Sequence, residues 1–364
     1  MLTPNFKLDE GTILVTGAAG FIGAHLVLHL LERCPSVHVV GVDNLNDYYD
    51  VSLKLHRLGR IESAFGAASA AKASWRFLKG DIADAEFLES VFREHRPVAV
   101  VNLAAQAGVR YSIDNPQAYI RSNLIGFFNV LECCRHNPVR HLVYASSSSV
   151  YGNSAKIPFS TDDKVDEPVS LYAATKKSDE LLAHSYSKLF DIPATGLRFF
   201  TVYGPAGRPD MAYFSFTDKL LKGETIRIFN YGNCRRDFTY IDDITEGIVR
   251  VLCCAPERRQ GADGLPVPPY RLYNIGNNAP ENLLEFVDVL RQELTAAGVL
   301  AADYDFAAHT KLVPMQAGDV ETTYADVTPL ERDFGYRPAT TLRDGLRAFA
   351  LWYRDFYGEK RRPM

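Results

Sequence analysis

Tyr172 and Lys176 stand four residues apart in Tyr172-Ala173-Ala174-Thr175-Lys176. On a helix this spacing puts both side chains on one face. Tyrosine is a poor base at its ordinary pKa of about 10, but a neighbouring ammonium stabilises the phenolate, and a second cation in a dry cleft adds to the effect. Bringing the phenol down to about 7 takes roughly 4 kcal/mol of differential stabilisation. Some twenty residues earlier the chain carries Ser146-Ser147-Ser148-Ser149-Val150-Tyr151-Gly152. Hydroxyls from Ser147, Ser148 and Ser149 can position a substrate alcohol and relay its proton to the phenolate.

A second group of residues has the spacing of a phosphate cradle. Gly17-Ala18-Ala19-Gly20-Phe21-Ile22-Gly23 reads G-x-x-G-x-x-G between an apolar run and a helical pattern. The first glycine makes the turn and the second admits backbone N–H groups to a pyrophosphate. The third, Gly23, lets helix pack on strand, with the helix start favouring the anion. Asp43 and Asn44 follow the next apolar run, twenty residues beyond Gly23. A carboxylate there accepts hydrogen bonds from both ribose hydroxyls of NAD and repels the extra phosphate of NADP. Asp81-Ile82 and Leu103-Ala104-Ala105-Gln106 end two further apolar runs, where adenine and the crossing cofactor would lie.

These residues need a scaffold that gathers strand ends. Thr12–Thr16, Val37–Val42, Trp75–Leu78, Val98–Asn102, His141–Ala145 and Ala194–Phe199 read as buried strands. Phe21–Arg33, Asp84–Glu94, Gln117–Arg135 and Leu171–Leu189 read as helices between them. Continuous apolar strands alternating with helices imply α/β architecture: a Rossmann-like, doubly wound parallel sheet covered on both faces. After Gly204 the alternation breaks down, and the remainder implies a smaller C-terminal α/β domain for the substrate. Ala255–Pro269, rich in proline and glycine, reads as a surface loop, and Ser63–Ser74 as an Ala/Ser-rich insert.

Composition closes off other classes. The 364 residues are 47% hydrophobic and 23% charged, with 40 Lys and Arg against 44 Asp and Glu, a formal net charge of −4. This excludes a disordered, collagenous or multi-span membrane chain and shows no basic footprint for nucleic acid. Gly11 to Leu31 lacks Asp, Glu, Lys and Arg over a membrane-spanning length. Asp9 and Glu10 precede it, however, and three glycines interrupt it, so strand, turn and helix fit it better. The six cysteines form no C-x-x-C and the nine histidines no ligand array, so a disulfide framework and a metal centre are not expected. Buried thiols in a reducing cytosol, and a cytoplasmic protein, are the expectation.

The glycine motif, Asp81, Ser147, Tyr172 and Lys176 together make the chain resemble the extended short-chain dehydrogenase/reductase family over nearly its whole length. Within it the resemblance is nearest to the UDP-glucuronate 4-epimerase group, through Ala104–Ser112, Ser170–Lys177 and Gly207-Arg208-Pro209-Asp210-Met211-Ala212. The resemblance implies NAD as cofactor and a UDP-sugar substrate inverted at C4 by transient oxidation. Tyr172 is then the base, Lys176 its partner, and Asn123 and Ser146 further cofactor contacts. It also implies Arg236 at the diphosphate, Phe229 against uracil, and Thr201, Met211, Ala212 and Asp319 around the nucleotide or sugar. Arg110 and Arg208 offer charge to the sugar carboxylate or the diphosphate, beside the serine hydroxyls and Thr201.

One departure is Ala206 after Pro205, where the group usually carries tryptophan. The segment Ser146–Ser149 holds no acidic residue, which argues against the related dehydratases and decarboxylases; a UDP-glucose 4-epimerase remains the nearest alternative, and an NAD-sensing protein without chemistry a distant one. The implied division is an NAD-binding domain over 9–200 with returning segments near 237–276, and a nucleotide-sugar domain over 201–236 and 277–364. A homodimer through the helices near Gln117–Arg135 and Leu171–Leu189 is also implied, with no nucleic-acid or membrane partner.

Overall fold

The computed structural model describes residues 1–67, 72–154, 156–261, 263–315 and 322–360. The first half alternates β1 (Thr12–Thr16), α1 (Phe21–Arg33), β2 (His38–Asp43), α2 (Val51–Ala67), β3 (Ser74–Lys79), α3 (Ala85–His95) and β4 (Ala99–Asn102). Two helical turns, α4 (Tyr111–Asp114) and α5 (Pro116–Tyr119), lead through a π-helical stretch, Ile120–Ile125, into α6 (Gly126–His136). Next come β5 (His141–Ser147), α7 (Leu171–Phe190) and β6 (Ala194–Phe199). The later chain forms β7 (Thr201–Tyr203), α8 (Ala212–Leu221), β8 (Ile226–Ile228), β9 (Arg235–Tyr240), α9 (Ile241–Leu252), β10 (Arg259–Gln260), β11 (Pro266–Val267) and β12 (Tyr270–Ile275). It ends with β13 (Pro280–Asn282), α10 (Leu283–Ala296), β14 (Thr310–Leu312), β15 (Thr322–Thr323), α11 (Thr328–Phe334) and α12 (Leu342–Lys360).

Seven parallel strands make the main sheet in the order β12-β6-β5-β4-β1-β2-β3. Strand side chains alternate between faces, and here both faces are apolar. Ile13, Val15 and Val101 pack under Leu26, Leu30, Ile244 and Ile248 of α1 and α9. Leu14, Val100 and Leu142 point the other way, against Leu88, Phe92, Phe127 and Val130 of α3 and α6. The strand order reverses between β1 and β4, and ligands of open α/β sheets bind at such a switch point, off the carboxyl ends of the strands.

After β6 the chain leaves this sheet and returns to it once. β12 pairs with β6 in parallel register, Tyr270 with Ala194 through Ile275 with Phe199, and α9 packs on the α1 face. Between and after these excursions lies a second layer. β9 is flanked by β13 and β15 and also pairs with β7, while β8 pairs with β14. Its core joins Phe214, Phe238, Phe286, Leu290 and Phe349, with Phe238 and Phe286 stacked at 4.2 Å between ring centres.

Three local expectations are corrected. Gln117–Arg135 is not one regular helix, because Ile120–Ile125 widens to a π-turn between α5 and α6. Ala255–Pro269 contains a short, exposed antiparallel pair, β10 with β11. The stretch Ser63–Ser74 opens as the last turn of α2, a helix the hydrophobic pattern does not reveal, and closes as the first residue of β3.

Two buried histidines are expected to weaken this fold in acid. His141 bridges Leu252 O at 3.0 Å and Thr195 Oγ1 at 2.8 Å, an arrangement that suits a neutral ring. Burial lowers its pKa to about 4. Burial and then Arg60 lower that of His25 to about 3. In the unfolded chain both protonate near 6.5. Their contribution is therefore intact above pH 6.5 and lost as pH falls toward 4, by about 3 kcal/mol for His141. Urea midpoints measured from pH 7 to pH 4 are expected to fall, and His141→Gln to show a shallower fall; an identical slope would show that His141 has no part in the acid sensitivity.

Candidate active site

The carboxyl ends of the central strands open into a cavity of about 1060 Å³. The turn from β1 to α1 forms one wall. Gly17 takes φ 71°, and a Cβ on it would lie 2.8 Å from the Leu103 carbonyl carbon. Gly23 is pressed closer still, its missing Cβ falling 2.1 Å from the Gly17 carbonyl oxygen. Gly20 precedes α1 without a side-chain cap, and the first turn carries no acidic residue. The starting N–H groups of α1 therefore offer their partial positive charge to an anion in the cavity. Thr16 Oγ1 donates to Asn102 Oδ1 at 2.7 Å and accepts from Ala104 N at 3.2 Å, fixing the ends of β1 and β4 beside this turn.

Asp43 ends β2 and lines the cavity. Its carboxylate accepts N–H groups from Ala19 at 3.1 Å and Leu45 at 2.8 Å. Lys54 of α2 stands 3.8 Å away and donates to Asn46 Oδ1 at 2.8 Å. Burial lowers the Lys54 pKa despite the Asp43 charge. Lys54 and Asn46 carry no signature in the sequence, yet both line the cavity. Asn44, Asp81, Ile82, Leu103, Ala104, Ala105 and Gln106 line it as well. Asp81 caps its own turn through Ala83 N at 2.9 Å and meets Arg121 Nε at 3.3 Å. The uncapped glycine turn, the close-packed third glycine and the Asp43 carboxylate fit NAD, and Gly17, Gly20, Phe21, Ile22 and Gly23 line the cavity with Asp43.

The opposite wall carries the proposed acid–base groups. Tyr172 and Lys176 open α7, whose start is capped by Ser170 Oγ accepting from Ala173 N. Lys176 Nζ donates to Ala145 O and to Asp179 Oδ2, both at 3.0 Å. Ser147 Oγ donates to Ser149 Oγ at 3.1 Å and accepts from Ser149 N at 3.2 Å, so the serine turn is self-supported. Ser146 faces differently: its hydroxyl donates to Glu180 Oε1 at 2.7 Å. Glu180 in turn holds Arg198 through two bonds of 2.7 and 2.8 Å. Ser146 through Ser149, Tyr172 and Lys176 all line the same cavity.

Beyond them the cavity reaches the second layer. Thr201, Arg208, Met211, Ala212, Phe229, Arg236 and Arg110 line this end. The Arg110 guanidinium lies over the Phe229 ring at 5.9 Å. Arg208 pairs with Asp210, Nε to Oδ1 at 3.0 Å. Burial opposes the Arg208 charge, but Asp210 outweighs it and holds the guanidinium firmly protonated. Burial likewise opposes the Asp210 charge, and Arg208 outweighs it, leaving this carboxyl below its usual range. Tyr48 and Tyr111 join this wall with ring centres 4.7 Å apart, and Tyr119 meets Tyr172 edge-on at 5.9 Å.

One expected residue stands behind the cavity wall. Asn123 does not line the cavity. It sits in the π-helical stretch, buried, accepting from Gln106 N at 2.8 Å and donating to Gln106 O at 3.1 Å and Thr175 Oγ1 at 3.0 Å. These bonds fix the Gln106 backbone. Asp319 lies outside the described residues. One residue without a sequence signature links the two halves of the site. Arg57, fully buried on α2, donates to Ala19 O at 3.1 Å, Ala206 O at 2.8 Å, Gly207 O at 2.9 Å and Tyr49 Oη at 2.6 Å. Ala206 adopts φ 51°, which turns its carbonyl toward that guanidinium.

A model of the NAD dependent epimerase/dehydratase family matches residues 13–276. A curated relative, UDP-glucuronate 4-epimerase 4 of Arabidopsis thaliana, is 45% identical over 358 residues, covering 96% of this chain and 77% of its own. The UDP-glucuronic acid 4-epimerase of Bacillus cereus, solved with UDP-glucuronic acid and NAD, superposes with a TM-score of 0.78 at 32% identity, covering 95% of this chain and 100% of its own. The UDP-glucose 4-epimerase of Thermotoga maritima, solved with UDP-glucose, gives a TM-score of 0.77 at 28% identity, with 95% and 99% covered.

The Asp43 carboxylate is the feature of the cradle most open to test. Losing hydrogen bonds to a charged group weakens binding by about 1.5–3 kcal/mol, roughly ten- to a hundredfold. Asp43→Asn is expected to weaken NAD binding on this scale in calorimetric titration and to narrow the preference over NADP. Unchanged affinities for both would remove Asp43 from the ribose site.

Proposed function

The chain belongs to the NAD dependent epimerase/dehydratase family, and within it we propose a 4-epimerase of a UDP-sugar that acts on UDP-glucuronate to give UDP-galacturonate. The observation that carries this reading is the wall on which the Ser147–Ser149 hydroxyls, Tyr172 and Lys176 share one cavity with Thr201 and the Arg208 guanidinium. The similarity to UDP-glucuronate 4-epimerases in both sequence and fold supports it.

NAD, when bound, supplies the acceptor for the C4 hydride and gives the hydride back to the other face of the same carbon. The remaining work falls to the chain. The Tyr172 phenolate takes the proton of the 4-hydroxyl as C4 is oxidised and returns it when C4 is reduced. Lys176 stabilises that phenolate by its charge. The Ser147 hydroxyl orients the sugar oxygen between them. The substrate 4-ketone is a β-keto acid, prone to lose CO₂, so its carboxylate must be held in place. Ser148, Ser149 and Thr201 offer the neutral donors for this, with Arg208 supplying charge behind them. Arg236, or Arg110 over Phe229, takes the diphosphate, since a planar guanidinium suits bidentate contact with phosphate oxygens. In this reading 9–200 and 237–276 bind NAD, and 201–236 and 277–364 bind the nucleotide sugar.

A second reading, a UDP-glucose 4-epimerase, draws on the Arg208–Asp210 pair, whose charges cancel and leave a neutral C6 tolerable. Incubation with each sugar separately, followed by NMR of the products, decides. UDP-glucuronate is expected to invert at C4 without forming a pentose; turnover of UDP-glucose alone would overturn the first reading. Tyr172→Phe is expected to lose at least about a thousandfold in kcat with NAD binding intact. Persisting turnover would show that Tyr172 is not the base.

We also propose a homodimer. Ile125, Phe128, Leu181, Leu189 and Phe190 are exposed on the π-helical stretch, α6 and α7. Phe128, Tyr186 and Phe190 form a continuous aromatic strip, with ring centres 6.4 and 5.3 Å apart. Two antiparallel copies of this helix pair would cover the strip as a four-helix bundle. Light scattering is expected to give a dimer, and the double variant Phe128→Asp with Leu181→Asp a monomer. A native monomer would remove the proposal. Among the described residues no helix is long and apolar enough to cross a membrane.

A further inference from the structure

We infer that Asp179 sets the charge Lys176 presents to Tyr172, and so fixes the pH at which this phenol gives up its proton. The inference rests on the Tyr172–Lys176 assignment above. Lys176 has three protons to donate. Two are committed, to Ala145 O and to Asp179 Oδ2, each at 3.0 Å. Both side chains of the pair are almost wholly buried, at 3% and 2% exposure. Asp179 lies one helical turn beyond Lys176 and two beyond Tyr172, so the three occupy one face of α7 over about 10 Å.

The neighbouring carboxylate is differently placed. Glu180 satisfies both oxygens, accepting from Ser146 Oγ and from Arg198 Nε and Nη2. Its charge is balanced by Arg198, with Lys177 Nζ of the same helix also 3.6 Å from Oε2. Asp179 Oδ1, by contrast, is buried with no hydrogen-bond partner among the described residues. Lys176 is the cation that faces Asp179. The other groups around it are Glu180 on its own helix, Tyr144 on β5, Tyr270 of β12 bonded to Tyr144, and Arg198 of β6 beyond Glu180. Burial raises the Asp179 carboxyl to about 6, against the pull of Lys176.

Two charge states follow. With Asp179 ionised, the buried pair is neutral overall and its field at Tyr172 is weak. With Asp179 protonated, Lys176 acts as a bare cation and favours the phenolate. At about 10 Å and an effective dielectric near 20, one charge moves a neighbouring titration by about one pH unit. Asp179 is thus a positioning residue that acts through Lys176, not a group that touches substrate.

The test is Asp179→Asn in the NAD-loaded protein. The substitution keeps the shape and the acceptor for Lys176 but removes the charge. Tyrosinate is followed by ultraviolet difference absorbance, each protein referenced to its own Tyr172→Phe version. The phenol midpoint is expected about half a unit to one unit lower in the variant, and the acid limb of the kcat profile is expected to move with it. Below about pH 6 the two proteins should converge, because the parent's Asp179 has then taken its proton. An unchanged midpoint, with kcat or stability altered equally at every pH, would reduce Asp179 to a structural role and overturn the inference. If the asparagine variant is not recovered folded, Asp179→Ser must move the midpoint in the same direction. The absorbance readout needs no sugar, so it stands whichever UDP-sugar is turned over. If Tyr172→Phe removes no titrating signal, the base assignment fails and this inference fails with it.

Discussion

At Gly23 there is no room for a methyl group, because the Gly17 carbonyl oxygen occupies the place where a Cβ would stand. This contact brings α1 down onto the end of β1, and the geometry of the site follows from it. A side chain at either glycine would push the helix start away from Leu103 and Ala104, and the cavity wall would open. With the helix seated, Ala19 N reaches the Asp43 carboxylate and Ala19 O reaches Arg57. The glycine turn is thus wired to β2 on one side and, through Arg57, to the loop that carries Arg208 on the other.

Charge in the interior is arranged with similar economy. One turn of α7 carries two carboxylates, Asp179 and Glu180, directed at two different cations, Lys176 and Arg198. Arg198 also lies over the Tyr151 ring at 4.9 Å, and Tyr151 donates to Asn274 of β12 at 2.6 Å. The polar network behind the serine turn therefore extends from α7 through β6 to the last strand of the sheet. In the second layer Asp237 has a comparable task. Fully buried, it accepts N–H groups of Asn277, Asn278 and Ala325 at 2.7–3.2 Å, which locks β9 and its neighbour Arg236 against the turn after β12.

The parts of this arrangement visible in sequence are those with a local signature. β1 and β6 are legible to the residue because a short, mostly apolar run between helical patterns has few alternatives to a buried strand. Tyr172 and Lys176 are legible because i, i+4 on a helix is a short-range relation. α2 is not. Val51–Ala67 mixes basic, small and apolar residues with a weak stripe, and what anchors it is tertiary: Lys54 beside Asp43 and Arg57 among carbonyls up to 150 positions away. With the helix hidden, Lys54 and Arg57 are hidden too. Asp179 escapes notice for the opposite reason. An Asp-Glu pair on a helix reads as a solvated face, and only the packed fold shows both carboxylates turned inward. Asn123 is named by resemblance, and its long-range partners, Gln106 and Thr175, appear only in the packed fold.

The late return of β12 to the edge of the main sheet has a consequence for how the chain is made. As it leaves the ribosome, β6 is complete at Phe199, but its partner does not begin until Tyr270. At synthesis rates of about 5–20 residues per second, β6 stays an open edge for roughly 4 to 14 seconds. It is a fully buried strand in the finished protein, and an uncovered strand of that kind is a template for pairing with other chains. A nascent chain arrested in the second layer would thus be at its most aggregation-prone with the glycine turn and the serine turn already synthesised.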